Sequence, residues 1–266
     1  MRILGFQKTT LLDYPGKLAS LIFTGGCNFR CPYCQNGELV TGAGQAEPVR
    51  EADILDHLKK RAGILEGLVI SGGEPTLQPD LIDFAEKVKS LGLAVKLDTN
   101  GTNPEVVETL ISRDLVDYIA MDIKQCPEKY PQTAGLQNAG ESNAGEIGGT
   151  IGGSVTVIPR EGIQKRLSKN VRRTADILLT GCVDYEFRTT FVDGLFEDSD
   201  FSAIAAWIRG AKRYYIQPYR ESEGVIAPER CKTPDDARLQ RVLKMLKEEL
   251  PGTEVALRGY ELAGDE

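Results

Sequence analysis

The sequence predicts an α/β fold, a partial (β/α)6 TIM-like barrel formed as a single domain over residues 1–266. Three observations predict it. Six short β-rich runs alternate with segments of helical periodicity, the pattern of a parallel sheet joined by right-handed crossovers. Six units fall short of the eight that close a full barrel, so the barrel is open or partial. Polar and glycine-rich signatures fall at the C-terminal ends of the first four runs, the rim on which such folds build their sites. Core packing alone gives no reason for them to gather there.

The elements follow in order. LASLIFTGG (18–26) is apolar and bounded by turn signals, so it reads as a buried strand leading into GGCNFRCPYCQN. A helix is expected over 48–62, and then LVISGGEP as the second strand. PDLIDFAEKVKSLG sets Leu81, Ile82, Ala85, Val88 and Leu91 on one helical face and ends at Gly92, a C-cap. LAVKLDTNG is the third strand, PEVVETLISR a helix opened by proline, and VDYIAMDIK the fourth strand. A helix over 164–180, the strand VDYEFRTTFV, the helix DFSAIAAWIRG and the strand RYYIQPY come next. In TPDDARLQRVLKMLKEELPG the last helix takes Thr233 as its cap, Pro234 at its start and Pro251-Gly252 beyond its end. Residues 135–153 (GLQNAGESNAGEIGGTIGG) carry seven glycines, no aromatic and no positive charge. That is too little apolar surface to order a core, and the segment reads as a flexible surface insertion. SVTVIPREG after it is either a short extra strand or part of the same excursion.

Composition narrows the function. Apolar content of 41% and charged content of 27% are those of a soluble globular protein, and no run of about 18 apolar residues occurs to span a membrane. MRILGFQKTT lacks the features of a signal peptide, so the expected location is the cytoplasm, where clustered cysteines mean metal or catalysis rather than disulfides. A net charge of −7, with no basic run among aromatics, argues against nucleic-acid binding. The single histidine, His57, excludes most Cys/His zinc modules and leaves a Ser-His-Asp triad one possible base. It flanks the stripe of Ile54, Leu55, Leu58 and Ala62 and reads as a partly exposed helix residue.

Cys27, Cys31 and Cys34 form CxxxCxxC and leave two metal readings open. Zinc needs a fourth protein ligand, ordinarily from a second pair. Cys126, Cys182 and Cys231 stand alone on separate elements and read as free cysteines. An iron–sulfur cluster held by three thiolates leaves one iron open to an outside ligand. The spacing favours the cluster. A zinc or iron–sulfur binding module without catalysis is the alternative.

With Tyr33 before its last cysteine, this stretch resembles the signature CxxxCxΦC of the radical S-adenosylmethionine (SAM) enzymes. A closer likeness is to the activating proteins of anaerobic ribonucleoside-triphosphate reductase, through KTTLLDYPGK, GGCNFRCPYCQN, VISGGEPTLQ, KLDTNGT, MDIK, VDYEFRTT and YYIQPYR. The resemblance implies a radical-SAM-type barrel and one 4Fe–4S cluster on Cys27, Cys31 and Cys34, with SAM as ligand of the open iron. Residues 35–70 hold no cysteine, which fits the single-cluster type. Gly72, Gly73 and Glu74 match the GGE motif that meets the methionyl ammonium, although Gly-Gly-Glu-Pro alone is also an ordinary strand-end turn. Asp98, Thr99 and Asp122 match positions that line a monovalent cation beside SAM in a related activase, while Asn100 and Gly101 fall in a turn. Lys124 and Arg188 are candidates for the SAM carboxylate, or for pairing with Asp122 or Glu186. Tyr33 and Gln217 are candidates for the adenine region, Tyr33 alternatively packing under the loop. No catalytic residue is implied beyond cluster and SAM. The implied reaction is reductive SAM cleavage that places a glycyl radical on the anaerobic ribonucleotide reductase, with flavodoxin or ferredoxin as electron donor. Another glycyl radical protein, or a small molecule such as a deazapurine precursor, is the alternative substrate.

Overall fold

In the computed structural model, which describes residues 1–42, 47–135 and 160–260, eight strands form one sheet whose spatial order is the chain order. β1 (Ile3–Thr10) runs antiparallel to β2 (Ala19–Thr24). Then β3 (Gly67–Gly72), β4 (Ala94–Thr99), β5 (Tyr118–Asp122), β6 (Asp184–Phe191), β7 (Arg213–Pro218) and β8 (Glu254–Leu257) each lie parallel to the strand before. The six expected strands are β2 to β7. β1 and β8 extend the sheet at its two edges. β1 escapes a pattern search because its middle is solvated (Gln7 to Thr9 are exposed), and β8 is four residues long.

The helices are α1 (Gly37–Thr41), α2 (Glu51–Lys60), α3 (Leu81–Ser90), α4 (Pro104–Ser112), α5 (Tyr130–Thr133), α6 (Arg160–Leu179), α7 (Asp198–Trp207) and α8 (Asp236–Glu249). α8 begins later than the sequence suggests. Its cap is Asp235, whose carboxylate accepts the Arg238 N–H at 2.7 Å, because Thr233 lies too far upstream to reach the free amides of the first turn. The glycine-rich insertion and the possible strand after it lie outside the described residues, apart from Gly135 and the start of α6. His57 sits half-buried on α2, edge-on to Phe6 at 5.2 Å, with Nε2 3.3 Å from the Lys8 carbonyl. Among the described residues no helix is long and apolar enough to cross a membrane.

Alternate residues of each strand serve opposite faces of the sheet. The outer face, with Ile22, Ile70, Leu97, Met121, Phe187 and Ile216, packs on the helices through Ile54, Phe84, Val107, Val171, Ile204 and Val242 to make the main core. The inner face carries a smaller apolar group: Leu21, Val69, Tyr118 and Ala120, with Tyr14 from the β1–β2 connection. That connection lies at the N-terminal end of the parallel strands, so Tyr14 closes one end of the barrel interior. The rest of the inner face is largely polar or charged. Glu186 on β6 is fully buried, accepts the Tyr118 hydroxyl at 2.6 Å, and is paired by both terminal nitrogens of Arg258. This carboxylate is thus spoken for well below the rim.

Candidate active site

The loop leaving β2 carries the three cysteines, and backbone hydrogen bonds hold it from several sides. Arg30 N–H donates to the Ala134 carbonyl at 2.8 Å, and Cys34 N–H to the Cys31 carbonyl at 3.1 Å. From the segment after β7, Ile226 N–H donates to the Cys34 carbonyl and Ala227 N–H to that of Pro32, at 3.3 and 2.9 Å. Cys31 is buried, and Cys27 and Cys34 are half-buried. All three line one cavity of about 250 Å3 at the C-terminal ends of the strands.

The donor set suits a cluster better than a single ion. Among the described residues no three or more His, Cys, Asp or Glu converge on one ion position. Tetrahedral zinc requires such convergence, whereas cluster thiolates each bind a different iron. Cys126, Cys182 and Cys231 are absent from the cavity wall: Cys126 donates to Asp200 at 3.5 Å, Cys231 to the Ala227 carbonyl at 3.4 Å, and Cys182 is exposed. Burial, aided by the Glu74 charge, pushes the Cys27 thiol up to about 12. Burial likewise takes Cys31 to about 11, the Lys124 ammonium opposing it. Both thiols are therefore protonated at neutral pH and must release protons to bind iron.

The turn after β3 is built against this loop. A Cβ on Gly72 would lie 2.2 Å from the Thr24 nitrogen, and one on Gly73 only 1.9 Å from the Gly26 carbonyl oxygen. Gly72 also has φ +121°, a region open to glycine. The close approach lets Gly73 N–H donate to Thr24 O and Glu74 N–H to Gly26 O, both at 2.8 Å. The Glu74 side chain points into the protein. Its Oε1 accepts from the Thr76 N–H (3.0 Å) and from the hydroxyls of Thr76 (2.5 Å) and Thr99 (2.7 Å), and its Oε2 from the Asn100 N–H (2.6 Å). Burial raises its pKa against the pull of these donors. The carboxylate joins the ends of β3 and β4, and what the turn offers the cavity is chiefly backbone.

Asp98, Asp122, Lys124 and Arg188 meet at the cavity wall. Arg188 bridges the two aspartates, with Nε 2.9 Å from Asp122 and Nη1 3.5 Å from Asp98. Lys124 lies 2.9 Å from the other Asp122 oxygen. Burial opposes ionisation of Asp122, but Arg188 and Lys124 outweigh it and hold the carboxyl down at about 2. Asp98 is lowered in the same way, by Arg188 and Lys96 against burial. Thr99 points elsewhere: its hydroxyl donates to Glu74 and accepts the Gly101 N–H at 3.1 Å. Tyr33 packs under the loop, 3% exposed, with its hydroxyl 3.4 Å from the Lys124 carbonyl, and Gln217 lines the cavity beside Thr190.

Sequence reasoning passed over three residues. Lys96 is buried on β4 with Nζ 2.5 Å from Asp98. Asn100, read as part of a turn, donates to Asn28 Oδ1 at 2.8 Å and more distantly to Cys27 Sγ at 3.9 Å. Asn28 in turn donates to the Thr102 hydroxyl at 2.9 Å, so the two asparagines tie the cysteine loop to the end of β4. A lysine two places before an aspartate in a buried strand was the available signal for Lys96, since the pair must share a face.

Residues 21–140 match the family model of the Radical SAM superfamily. A Methanocaldococcus jannaschii protein, provisionally named a glycyl-radical enzyme activating enzyme, is 32% identical over 221 residues, 82% of this chain and 80% of its own length. A 7-carboxy-7-deazaguanine synthase of Neisseria meningitidis is 31% identical over 126 residues, 47% of this chain and 53% of the synthase. Among solved structures, Streptococcus suis SuiB bound to S-adenosylmethionine is similar with a TM-score of 0.61 and 13% identity, over 89% of this chain and 49% of SuiB. At that identity the likeness is one of fold, and this chain spans about half of SuiB's length.

Proposed function

This chain belongs to the radical SAM superfamily, and from that premise we propose that it is a glycyl-radical activating enzyme whose target is an anaerobic ribonucleotide reductase. The observation that carries the reading is the meeting, in one cavity, of three thiols from a single loop with the fixed positive charges of Lys124 and Arg188. Cys27, Cys31 and Cys34 would hold the cluster, and among the described residues no fourth thiol lines the cavity, which would leave a ligand position to SAM. When bound, the 4Fe–4S cluster supplies the electron that splits SAM into methionine and a 5′-deoxyadenosyl radical.

The protein's part is to hold and to shield. Lys124 and Arg188 stand in the cavity wall, and their fixed positive charge suits the carboxylate of SAM. Lys124 and Arg188, each partly open to the cavity, are its contacts, while the backbone of the Gly72–Gly73–Glu74 turn serves the methionyl ammonium. Tyr33 supports the loop, and Gln217 serves the adenine, a role supported by its position in the cavity wall. The substrate is a glycine in an extended loop of the partner, the residue whose backbone enters a crowded cavity most readily. The likeness carried by KTTLLDYPGK and VDYEFRTT supports this target. The relative named as an activating enzyme is matched over 82% of this chain, against 47% for the deazaguanine synthase. Flavodoxin or ferredoxin delivers the electron, in a cytoplasm that keeps the cysteines reduced.

The test is low-temperature EPR on the anaerobically reconstituted, reduced protein with SAM and the anaerobic reductase of the same source, 5′-deoxyadenosine being quantified in parallel. A glycyl doublet that needs both proteins is expected, with about four iron and four sulfide per chain. 5′-Deoxyadenosine without the doublet redirects the search to other glycyl radical proteins or to a deazapurine precursor. Zinc without sulfide refutes the enzyme reading altogether.

A further inference from the structure

The donor set described for Asp98, Thr99 and Asp122 does not fit a bound monovalent cation. We propose instead that this site works without one, the Lys96 ammonium standing as a fixed internal cation in its place.

Each carboxylate oxygen is already engaged by the protein. Asp98 Oδ1 faces Lys96 Nζ at 2.5 Å, and Asp98 Oδ2 takes the Ser71 hydroxyl at 3.1 Å and Arg188 at 3.5 Å. Asp122 Oδ1 faces Arg188 and Oδ2 faces Lys124, both at 2.9 Å. The Thr99 hydroxyl, the third oxygen expected, is committed to Glu74 and Gly101. A metal ion entering here would have to share oxygens that already face Lys96, Lys124 and Arg188.

Lys96 is not free to yield. It is 1% exposed, its ammonium lies 6.0 Å from the centre of the Tyr118 ring, and it sits inside the barrel on the same strand face as Asp98. An ammonium buried that deeply cannot swing out to water, and unpaired it would be strongly destabilising. Asp98 therefore stays paired whatever else the cavity holds. Lys96, Lys124 and Arg188 already surround Asp98 and Asp122. An added metal ion would sit among these like charges. The cleavage readout below rests on the SAM reading; the pairing of Lys96 with Asp98 does not.

The experiment compares thermal melting of the full chain, with and without reconstituted cluster, in tetramethylammonium, sodium and potassium chloride at equal ionic strength. Wild type is expected to melt within about 1 °C in all three salts, because nothing that binds only the folded state differs among them. Lys96→Met leaves Asp98 a vacant partner, and its melting temperature is expected to rise by several degrees when sodium or potassium replaces tetramethylammonium. 5′-Deoxyadenosine formation gives a second readout: wild type indifferent to the salt, the variant slow in tetramethylammonium and recovering severalfold with the inorganic cation. A wild-type protein that is stabilised or accelerated severalfold by sodium or potassium overturns the proposal, and so does a Lys96→Met protein that keeps wild-type behaviour in tetramethylammonium. Should the variant fail to fold, the wild-type comparison decides alone. Absence of SAM cleavage in every salt counts against the proposed function and leaves the melting result to judge this inference.

Discussion

Gly73→Ala isolates one close approach. An added Cβ meets the Gly26 carbonyl oxygen at 1.9 Å and its carbon at 2.6 Å, and both atoms are backbone. Reaching an ordinary contact of 3.4 Å requires the two segments to part by 1.5 Å (3.4 − 1.9). Gly73 does not have a positive φ, so no conformational penalty is mixed in. Parting by that distance stretches the two 2.8 Å hydrogen bonds, Gly73 to Thr24 and Glu74 to Gly26, beyond useful length. Overpacking costs about 1–3 kcal/mol. Two lost hydrogen bonds add about 0.5–1.5 kcal/mol each, for a total of about 2–6 kcal/mol. Urea unfolding of the protein without cluster measures this directly, and iron content after reconstitution reports whether the cysteine loop has shifted with the turn. Gly92→Ala is the control: φ is +77° with nothing within 4 Å of the new Cβ, so only the left-handed strain of about 1–2 kcal/mol applies. A Gly73→Ala protein within about 0.5 kcal/mol of wild type that also loads a full complement of iron would refute the steric reasoning.

Three further outcomes are expected. Cys34→Ala abolishes 5′-deoxyadenosine formation while moving the melting temperature of the cluster-free protein by less than about 4 °C, because Cys34 sits half-buried on a rim loop; residual cleavage would remove it from the ligand set. Arg188→Lys loses the bridge between Asp98 and Asp122 and raises the KM for SAM by about 10-fold or more with the fold kept, measured by initial rates against SAM concentration. Asp122 has its folded pKa held at about 2, below the unfolded value near 3.8, so its contribution of about 2 kcal/mol is full above about pH 5 and is lost as pH falls toward 2. Urea midpoints of wild type and Asp122→Asn should accordingly converge over that interval, and a gap that is constant with pH would show that the carboxylate's charge is not what stabilises.

What could be read from the chain was what local pattern encodes. β2 to β7 carry their apolar runs within a few residues, and CxxxCxxC lies within eight positions. The edge strands were hidden for opposite reasons, β1 by its solvated middle and β8 by its length. The C-terminal helix shows how two good capping residues, Thr233 and Asp235, compete until the first turn is placed. Side-chain pairing was the least legible. The GGE motif marks Glu74 for the site, but no local pattern shows that its carboxylate accepts from Thr76, Thr99 and Asn100. Asn100 reaches Asn28 across 72 residues of sequence, a distance no local window spans. Lys96 looked like one more polar residue until the strands curved and enclosed it.

The cysteine loop owes its outer wall to residues made long after it. Gly37 N–H donates to the Gly224 carbonyl, and Ile226 and Ala227 donate back to Cys34 and Pro32, so the C-terminal half of the loop leans on the segment that follows β7. A nascent chain emerging from the ribosome would present all three thiols early, with nothing yet to shape them. The loop therefore takes its final form only once the segment holding Gly224, Ile226 and Ala227 has arrived. Truncations upstream of residue 224 should yield protein that keeps its signature motif and cannot retain the metal.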